Sequence, residues 1–425
     1  MKLNKQKVFA LALAVCLIAT LSMGSLAWFT DDDSVTNDFF IAGSEDENPD
    51  DVFSVDVWED ATPEAPDGED KIQDGIEYPA ILPGDDLYKE VNVENTGAYA
   101  QYIRTTVTVT DAHIWQAIHG EHFVALDKIA TDLNPAFTTY SIICDEVNDT
   151  LTYVLYYENI LAVDEVVTLF TNVAIPEELT REQAAEMAGG FQINVVAEAV
   201  QTENVGNNAV EAFETVGMAV EAGNYCIIKD TTIQTQNGDW IRNNTLLENV
   251  VMNSDQAGLQ TAYVDVVLEN VDINAGSTAD YSNILYGGNV IYNDVDIASK
   301  GGGIGAIDGA YVEFNSGSIN INSASTSQRY TFYVVGNSTV VVNGGDFSFT
   351  AGQNLNRAYA YVDSGSTLII NGGTFGATTT KYPAGLLGDG EIIITGGTFG
   401  FDPTAWVADG YVAVQNGSTW TVQAQ

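Results

Sequence analysis

Three nearly identical phrases late in the chain constrain its fold more than any other feature. They are Asn343-Gly344-Gly345-Asp346-Phe347, Asn371-Gly372-Gly373-Thr374-Phe375 and Thr395-Gly396-Gly397-Thr398-Phe399. Similar upstream units extend them into one column of apolar positions, separated by 19 to 28 residues: Ile233, Met252, Ile273, Ile297, Ile319, Phe347, Phe375 and Phe399. A repeat of this length, made of short strands between Gly and Asn without helical spacing, predicts a solenoid of β-coils.

Two more apolar columns run through the predicted coils. One is Ile228, Leu247, Leu268, Tyr292, Phe314, Val342, Ile370 and Ile394, and the other is Cys226, Thr245, Val266, Val290, Val312, Val340, Leu368 and Ile392. Because side chains alternate along a strand, we expect both columns to point inward and the column containing Glu313 to face water.

Four asparagines, Asn293, Asn315, Asn343 and Asn371, fall in register at the bend of successive coils. At about 4.8 Å between coils, their amides are spaced to hydrogen-bond along the stack, and Phe347, Phe375 and Phe399 are expected to stack inside. The pattern resembles the asparagine ladders of right-handed parallel β-helices. We expect such a module over residues 204–425. A helix around Phe213 is predicted to cap its start, and a segment containing Trp406 and Trp420 is predicted to cap its end.

The first 27 residues have the pattern of a secretory signal. Three lysines precede an apolar run at 8–21, and the small-residue site Ser25-Leu26-Ala27 follows. A helix of this run would be about 21 Å long, short of the roughly 30 Å hydrocarbon core. We therefore predict export and cleavage between Ala27 and Trp28.

The residues after this site resemble the start of the TasA/camelysin family of bacterial surface and biofilm-matrix proteins. The similar segments are 27–31 (AWFTD), 37–43 (NDFFIAG), 81–87 (ILPGDDL), 91–97 (VNVENTG) and 191–201 (FQINVVAEAVQ). The resemblance covers residues 1–203 and implies processing by a SipW-type signal peptidase. It also implies that the new N-terminal stretch, anchored by Trp28, Phe29, Phe39 and Phe40, inserts as an extra strand into another subunit.

Residues 28–203 are predicted to be all-β. Apolar and polar residues alternate at 53–57, 103–109, 151–157, 166–173 and 191–197, which is typical of strands with one buried face. This spacing favours a β-sandwich, of jelly-roll type, behind an acidic N-terminal loop. One short helix is predicted, with Thr180 and Gln183 forming a capping box and Gly189-Gly190 ending it.

The charge of the chain excludes some classes of partner. The net charge is −45, and removing the signal removes three lysines and leaves 11 basic and 59 acidic residues, or −48. Such a charge disfavours nucleic acid and anionic membranes. Seventeen of the acidic residues lie between Trp28 and Gly75, which suits a solvated surface or, as an alternative, the gathering of Ca²⁺. No EF-hand-like loop is present, so no calcium site is assigned.

Residues for metal binding are few. Cys144 and Cys226 are interpreted as buried thiols, with pairing left open if their segments touch. His119 and His122 flank Gly120-Glu121, and because no H-E-x-x-H exists, a surface loop is preferred to a metal site. No cofactor or metal is assigned.

One acidic column raises the question of catalysis. Asp272, Asp296 and Asp346 share an outward column, with Asp272 and Asp296 on neighbouring coils. Two carboxylates suit glycoside chemistry, whereas a lyase also needs a basic partner. The coil region offers six basic residues, none in this column: Lys229, Arg242, Lys300, Arg329, Arg357 and Lys381. Solvated carboxylates are therefore preferred.

The sequence as a whole predicts an exported structural or adhesive protein of a Gram-positive-type bacterial surface or biofilm matrix. The expected partners are the signal peptidase, another copy or a related matrix subunit, and an extracellular glycan or protein. The alternative is a polysaccharide lyase or hydrolase that acts on the face of the β-helix.

Overall fold

The computed structural model describes residues 30–32, 54–60, 71–73, 76, 78, 81–187, 190–220, 222–235, 240–276, 281–322, 328–350, 356–379 and 381–425. Its contacts divide the chain into two units, Met1–Tyr225 and Cys226–Gln425, so the boundary lies after the position expected from the sequence. The described secondary structure is nearly all β, with three short α-helices. The all-β fold class is confirmed.

Two antiparallel sheets build the N-terminal unit. One pairs β1 (Thr30–Asp32), β8 (Ile193–Gln201), β4 (Gln101–Thr110), β6 (Thr150–Tyr157) and β5 (Phe137–Asp145), in that order. The other pairs β2 (Val55–Asp60), β3 (Asp86–Asn95) and β7 (Val166–Ala174). Alternating strand residues such as Val107, Val109 and Leu155 are fully buried, which accounts for the alternation in the sequence.

Three α-helices accompany these sheets. Helix α1 (Ala112–His119) was not predicted. Two of its own residues, Ile114 and Trp115, are buried. Helix α2 (Arg181–Glu186) begins with the predicted Thr180–Gln183 capping box. Helix α3 (Ala209–Thr215) is capped by Asn208, but it packs against β4, β6 and β8. The helix expected to cap the solenoid therefore contacts the N-terminal sheet, since an amphipathic pattern predicts a buried face without specifying what covers it.

The C-terminal unit is a parallel β-solenoid with three faces. The first face contains β9 (Gly223–Lys229), β12 (Thr245–Glu248), β15 (Val266–Ala275), β17 (Asn289–Ser299), β19 (Tyr311–Phe314), β22 (Thr339–Val342), β25 (Thr367–Ile370) and β28 (Glu391–Ile394). The second contains β10 (Thr232–Thr235), β13 (Val251–Ser254), the second halves of β15 and β17, β20 (Gly317–Ile321), β23 (Asp346–Phe349), β26 (Thr374–Ala377) and β29 (Gly397–Gly400). The third contains β11 (Trp240–Ile241), β14 (Leu259–Ala262), β16 (Tyr281–Tyr286), β18 (Gly302–Ile307), β21 (Arg329–Val334), β24 (Arg357–Val362) and β27 (Leu386–Gly388).

Apolar columns fill the interior of this solenoid. The column from Ile233 to Phe399 pairs position by position along the second face. The columns from Cys226 to Ile392 and from Ile228 to Ile394 do the same along the first face. Most of these side chains belong to one continuous core. Because every coil contributes the same positions, like residues pack on like residues.

The corner between the first and second faces requires a left-handed backbone. Early coils place Asp or Asn there, with φ between 52° and 54° at Asp230, Asn249, Asn270 and Asp294. Later coils use Gly, with φ between 96° and 105° at Gly317, Gly345, Gly373 and Gly397. Asn, Asp and Gly are the residues that adopt this region most readily, so the Gly-Gly phrase in the sequence reports the geometry of the corner.

A hairpin closes the C-terminal end of the second face. Its strands are β30 (Tyr411–Asn416) and β31 (Thr419–Ala424), and β31 pairs antiparallel with β29. Val407 forms a single bridge to Ile394 at the end of the first face. Trp406 and Trp420 both pack against the solenoid core. This segment covers strand edges that would otherwise present unpaired backbone groups.

Candidate functional site

An amide ladder runs along the corner of the solenoid. Asn315 Nδ2 donates to Asn293 Oδ1 at 2.8 Å, and Asn343 Nδ2 donates to Asn315 Oδ1 at 2.7 Å. Asn371 Nδ2 donates to Asn343 Oδ1 at 2.9 Å. Thr395 ends the series, since its hydroxyl donates to Asn371 Oδ1 at 2.7 Å. Each amide donates to one neighbour and accepts from the next, so the ladder ties successive coils together.

The ladder starts on a carboxylate. Asn293 Nδ2 donates to Glu269 Oε1 at 3.3 Å, and Glu248 and Lys229 occupy the same column on the preceding coils. Burial raises the pKa of Glu248, and Lys229 opposes that shift. A second amide series lies at the adjacent position, where Asn270 donates to Asn249 at 2.8 Å. The early coils therefore place charged side chains in this column. The later coils continue it with amides, and Asn343 Nδ2 also donates to the neighbouring Glu313 Oε1 at 3.0 Å.

The residue pair Gly344-Gly345 shows why side chains are excluded beside this ladder. A Cβ at Gly344 would lie 2.6 Å from the Asn315 carbonyl oxygen, and one at Gly345 would lie 2.7 Å from the Phe314 ring. Those distances are too short for a side chain, and Gly345 also has a φ of 99°. Because these glycines have no side chains, backbone atoms form the floor of a groove along the later coils.

Phenylalanines stack inside the solenoid, behind this groove. The Phe347 and Phe375 ring centroids lie 4.7 Å apart, and those of Phe375 and Phe399 lie 5.0 Å apart with nearly parallel planes. All three side chains are buried. The stack fills the interior of the solenoid behind the second face.

A polar groove of about 780 Å³ follows the outer side of the second face. Asp296, Ser318, Asp346, Thr374, Thr398 and Thr421 line it with one carboxylate or hydroxyl at each level, between glycines. Asp272 extends the same column onto the preceding coil, next to Asp296. All three carboxylates are exposed, and Ser318 donates to Asp296 Oδ1 at 2.6 Å.

The chemistry available in this groove is that of acceptors and hydroxyls. None of the described residues that line it is a Lys, Arg or His, so it contains no basic group that could remove a proton beside a uronate. The Asp272–Asp296 pair on adjacent coils places two carboxylates side by side, as glycosidases do. The groove fits a ligand rich in hydroxyls better than an anionic one.

The structure also brings together a tyrosine row that the sequence reasoning missed. The Tyr281 and Tyr333 rings stack at 5.2 Å, and those of Tyr333 and Tyr361 stack at 5.7 Å on the third face. Arg329 and Arg357 lie in register at the start of the same strands. Tyr333 and Tyr361 are 28 residues apart, the same separation as Phe347 and Phe375. This equal spacing is the sequence signal from which the tyrosine row could have been predicted.

The three histidines lie on or just after helix α1 in the N-terminal unit. His113 and His119 belong to the helix, so the surface loop expected for the His119–His122 cluster is wrong for His119, whereas His122 lies in the bend after the helix. His113 Nδ1 contacts the Asp149 carboxylate at 2.5 Å, and this hydrogen bond raises the pKa of His113. The His119 ring stacks on Trp115 at 6.5 Å, and burial lowers the pKa of His119.

A strand edge in the N-terminal unit holds part of the predicted assembly segment. Ala27, Trp28, Phe29, Phe39 and Phe40 lie outside the described residues. Between them, β1 pairs antiparallel with β8, with Thr30 opposite Val200, Asp31 opposite Ala199 and Asp32 opposite Glu198. The outer edge of β8 therefore accepts a strand from this segment.

Beneath that edge, a buried ion pair holds β8 to β4. Arg104 Nε lies 2.6 Å from Glu198 Oε2, and Arg104 Nη1 donates to the Met218 carbonyl at 2.6 Å. The guanidinium also lies 4.4 Å from the centre of the Phe213 ring on α3. Burial by itself lowers the pKa of Arg104, but the Glu198 carboxylate outweighs it, and the net shift is upward.

The chain matches no protein-family profile, no curated protein and no solved structure. Within the described residues, no helix combines the length and the apolar character needed to span a bilayer.

Proposed function

We propose that this protein is an exported structural component of a bacterial surface or biofilm matrix. It assembles by donating its N-terminal strand to another copy or a related subunit, and its β-solenoid serves as an adhesive module. Export, processing after Ala27 and similarity to TasA/camelysin proteins belong to the same proposal. The observation that carries it is the pairing of β1 with the outer edge of β8.

The pairing supports strand donation because it is short and leaves much of the edge open. Three residue pairs join β1 to the C-terminal part of β8, while 193–197 have no partner beyond β4 within the described part of the chain. In the same register, a longer strand would place residues 33–37 opposite those five. An open strand edge gains main-chain hydrogen bonds when a donor covers it.

The donor sequence favours such a complex on energetic grounds. Trp28, Phe29, Phe39 and Phe40 flank an acidic centre, so the segment has apolar anchors at both ends. Burying one large side chain contributes roughly 1.5–3 kcal/mol. Donation to a second copy therefore combines two contributions, the backbone pairing of the strand and the burial of its aromatic side chains. The three residue pairs between β1 and β8 do not need these aromatic side chains.

The solenoid suits adhesion because its outer surface repeats. The groove presents a carboxylate or hydroxyl at each level of the outer second face. A repeating polar surface matches a repeating ligand, such as an extracellular glycan or an extended protein segment. The amide ladder keeps the levels in register.

The proposal is tested by comparing three purified forms of the chain: one that begins at Trp28, one that begins at Ser44, and one that retains the signal. We expect fibres, seen by electron microscopy, for the first form alone. Each form is measured with and without Ca²⁺, because the acidic N-terminal segment offers carboxylates to a cation. If the form that begins at Trp28 stays monomeric at high concentration under both conditions, the proposal is wrong.

A matched control separates the effect of the order of residues 28–41 from the effect of the length of the N-terminal segment. A chain with residues 28–41 in scrambled order keeps the same charge and composition, and we expect it to form no fibres. A synthetic peptide of residues 28–41 should cap growing fibres by occupying β8, and a scrambled peptide should not. Equal activity of the two peptides would contradict donation at a defined register.

Hydrolysis of a polysaccharide is the second candidate function, and the Asp272–Asp296 pair is the observation that favours it. Release of reducing sugar from a panel of glycans measures it. Loss of that release in Asp272→Asn and Asp296→Asn, with Asp346→Asn as the control, would replace adhesion by catalysis. Binding without release supports adhesion.

A further inference from the structure

The C-terminal hairpin carries no charged side chain. Residues 410–425 (GYVAVQNGSTWTVQAQ) contain no Asp, Glu, Lys or Arg, in a chain with 14 basic and 59 acidic residues. These residues form β30 and β31 at the end of the second face. Two such hairpins can therefore pair without bringing a carboxylate side chain of one strand opposite a carboxylate of the other, although the whole molecule is strongly acidic.

The outer edge of β30 is open. Among the described residues, β30 pairs only with β31. Gln425 N donates to the Gly410 carbonyl at 3.0 Å, so the alternation of an antiparallel ladder puts 412, 414 and 416 in the hydrogen-bonded pairs. Tyr411, Ala413 and Gln415 then direct their N–H and C=O groups away from β31. Both Tyr411 groups are already bonded, the N–H to the Ala408 carbonyl at 3.1 Å and the C=O to Gln425 Nε2 at 3.1 Å.

The side chains of β30 divide into two sets. Tyr411 and Ala413 pack against the solenoid core. Val412 and Val414 face out and are 37% and 43% exposed. Soluble proteins usually protect such an edge with a charge, a proline or a bulge. Neither a charge nor a proline occurs in β30.

We propose that β30 is a self-association site, through which two copies of the chain join end to end by antiparallel pairing of their β30 strands. Pairing centred on Val414 would place the free Ala413 groups of each copy opposite the free Gln415 groups of the other, with the two Val414 side chains opposite each other on the exposed face. A second copy is the favoured occupant because it brings the same uncharged, β-branched strand and its own unpaired Ala413 and Gln415 groups. An acidic or basic partner would find no complementary charge here. This site is separate from the β8 edge.

Cysteine cross-linking tests the register. The experiment uses the chain without residues 1–43, which lacks the donor strand but keeps every described residue except β1. In the proposed register, Val414→Cys chains form a disulfide-linked dimer with one another, whereas Val412→Cys chains do not. No cross-link of Val414→Cys above the level of Val412→Cys overturns the proposal. Cross-linking of Val412→Cys with itself overturns the register.

Sedimentation measures the affinity of the same association. We expect the parent chain to dimerise and the Val412→Lys/Val414→Lys variant to dimerise at least tenfold more weakly, while Val412→Thr/Val414→Thr stays close to the parent. Ala413→Pro removes an outward N–H without touching the β31 ladder and should also abolish dimers. Circular dichroism and thermal melting establish that each variant is folded. A parent that is monomeric at high concentration, or a lysine variant that dimerises like the parent, overturns the proposal.

Discussion

The two units of this chain are stabilised in opposite ways. In the N-terminal unit, strands from distant parts of the sequence meet once, and specific ion pairs such as Arg104–Glu198 and Lys89–Glu59 join them. In the solenoid, each position meets its own equivalent on the next coil, which produces the amide ladder and the phenylalanine stack. The ion pairs found between described side chains all lie in the N-terminal unit. The solenoid therefore repeats one contact from coil to coil, whereas the N-terminal unit makes each contact once.

The largest effect should come from the centre of the aromatic stack. Phe375→Ala removes a buried ring between Phe347 and Phe399, and we expect a loss of about 3–5 kcal/mol in the free energy of unfolding of the solenoid. Phe375→Leu is the matched control and should cost clearly less. Urea denaturation followed by tyrosine and tryptophan fluorescence measures both. Equal losses would mean that stacking is not what the column provides.

The corresponding change in the N-terminal unit is Glu198→Gln. It leaves Arg104 buried with a weaker partner, and breaking such a pair costs up to about 3–5 kcal/mol. We expect a loss near the lower end, because the Met218 carbonyl and the Phe213 ring still contact the guanidinium. A double-mutant cycle with Arg104→Met measures the coupling. Additive losses would show that the pair does not stabilise β8.

An intermediate effect is expected from the amide ladder. Asn343→Ala removes hydrogen bonds to both Asn315 and Asn371, and we expect a loss of about 1–2 kcal/mol because the site is exposed. Asn343→Thr is the matched control, since Thr395 occupies the same column and bonds to Asn371. Thermal melting of the two variants checks the ranking. A threonine variant less stable than the alanine variant would contradict it.

The smallest effect is a pH dependence in the N-terminal unit. The hydrogen bond to Asp149 raises the pKa of His113 above its usual 6.5. The contribution of this pair is therefore full below about pH 6.5 and is lost as the pH rises through the elevated value. We expect a small decrease in melting temperature over that range, reduced in His113→Gln. NMR titration of His113 gives the pKa directly, and a value at or below 6.5 would contradict the contact.

The solenoid could be predicted closely because the spacing of its repeats in the sequence determines which residues lie in register. The repeat spacing alone aligned the column from Ile233 to Phe399, since each coil must return to the same position. The tyrosine row was missed because Gly305 interrupts its column and Tyr281 fills the space from a neighbouring position. Repeat spacing predicts the positions that recur in every coil. It does not predict a contact, such as that of Tyr281, that one coil makes from a different position.

The N-terminal unit was less predictable because its pairings are nonlocal. Alternation located strands such as β4 and β6, but no local signal says that β4 lies between β6 and β8. Helix α1 was missed, and α3 was recognised as a helix but assigned to the wrong surface. The candidate groove depended on the solenoid register, so its Asp column could be read from the sequence, whereas its glycine floor and the β8 edge required coordinates.

Strand donation at β8 is the central claim, and a cryo-EM map of fibres grown from the chain that begins at Trp28 tests it most directly. We predict continuous density along the outer edge of β8, antiparallel to it and traced to the N-terminus of a neighbouring copy. Fibres in which residues 30–32 remain on the β8 strand of their own chain, or in which that edge is empty, would contradict the account.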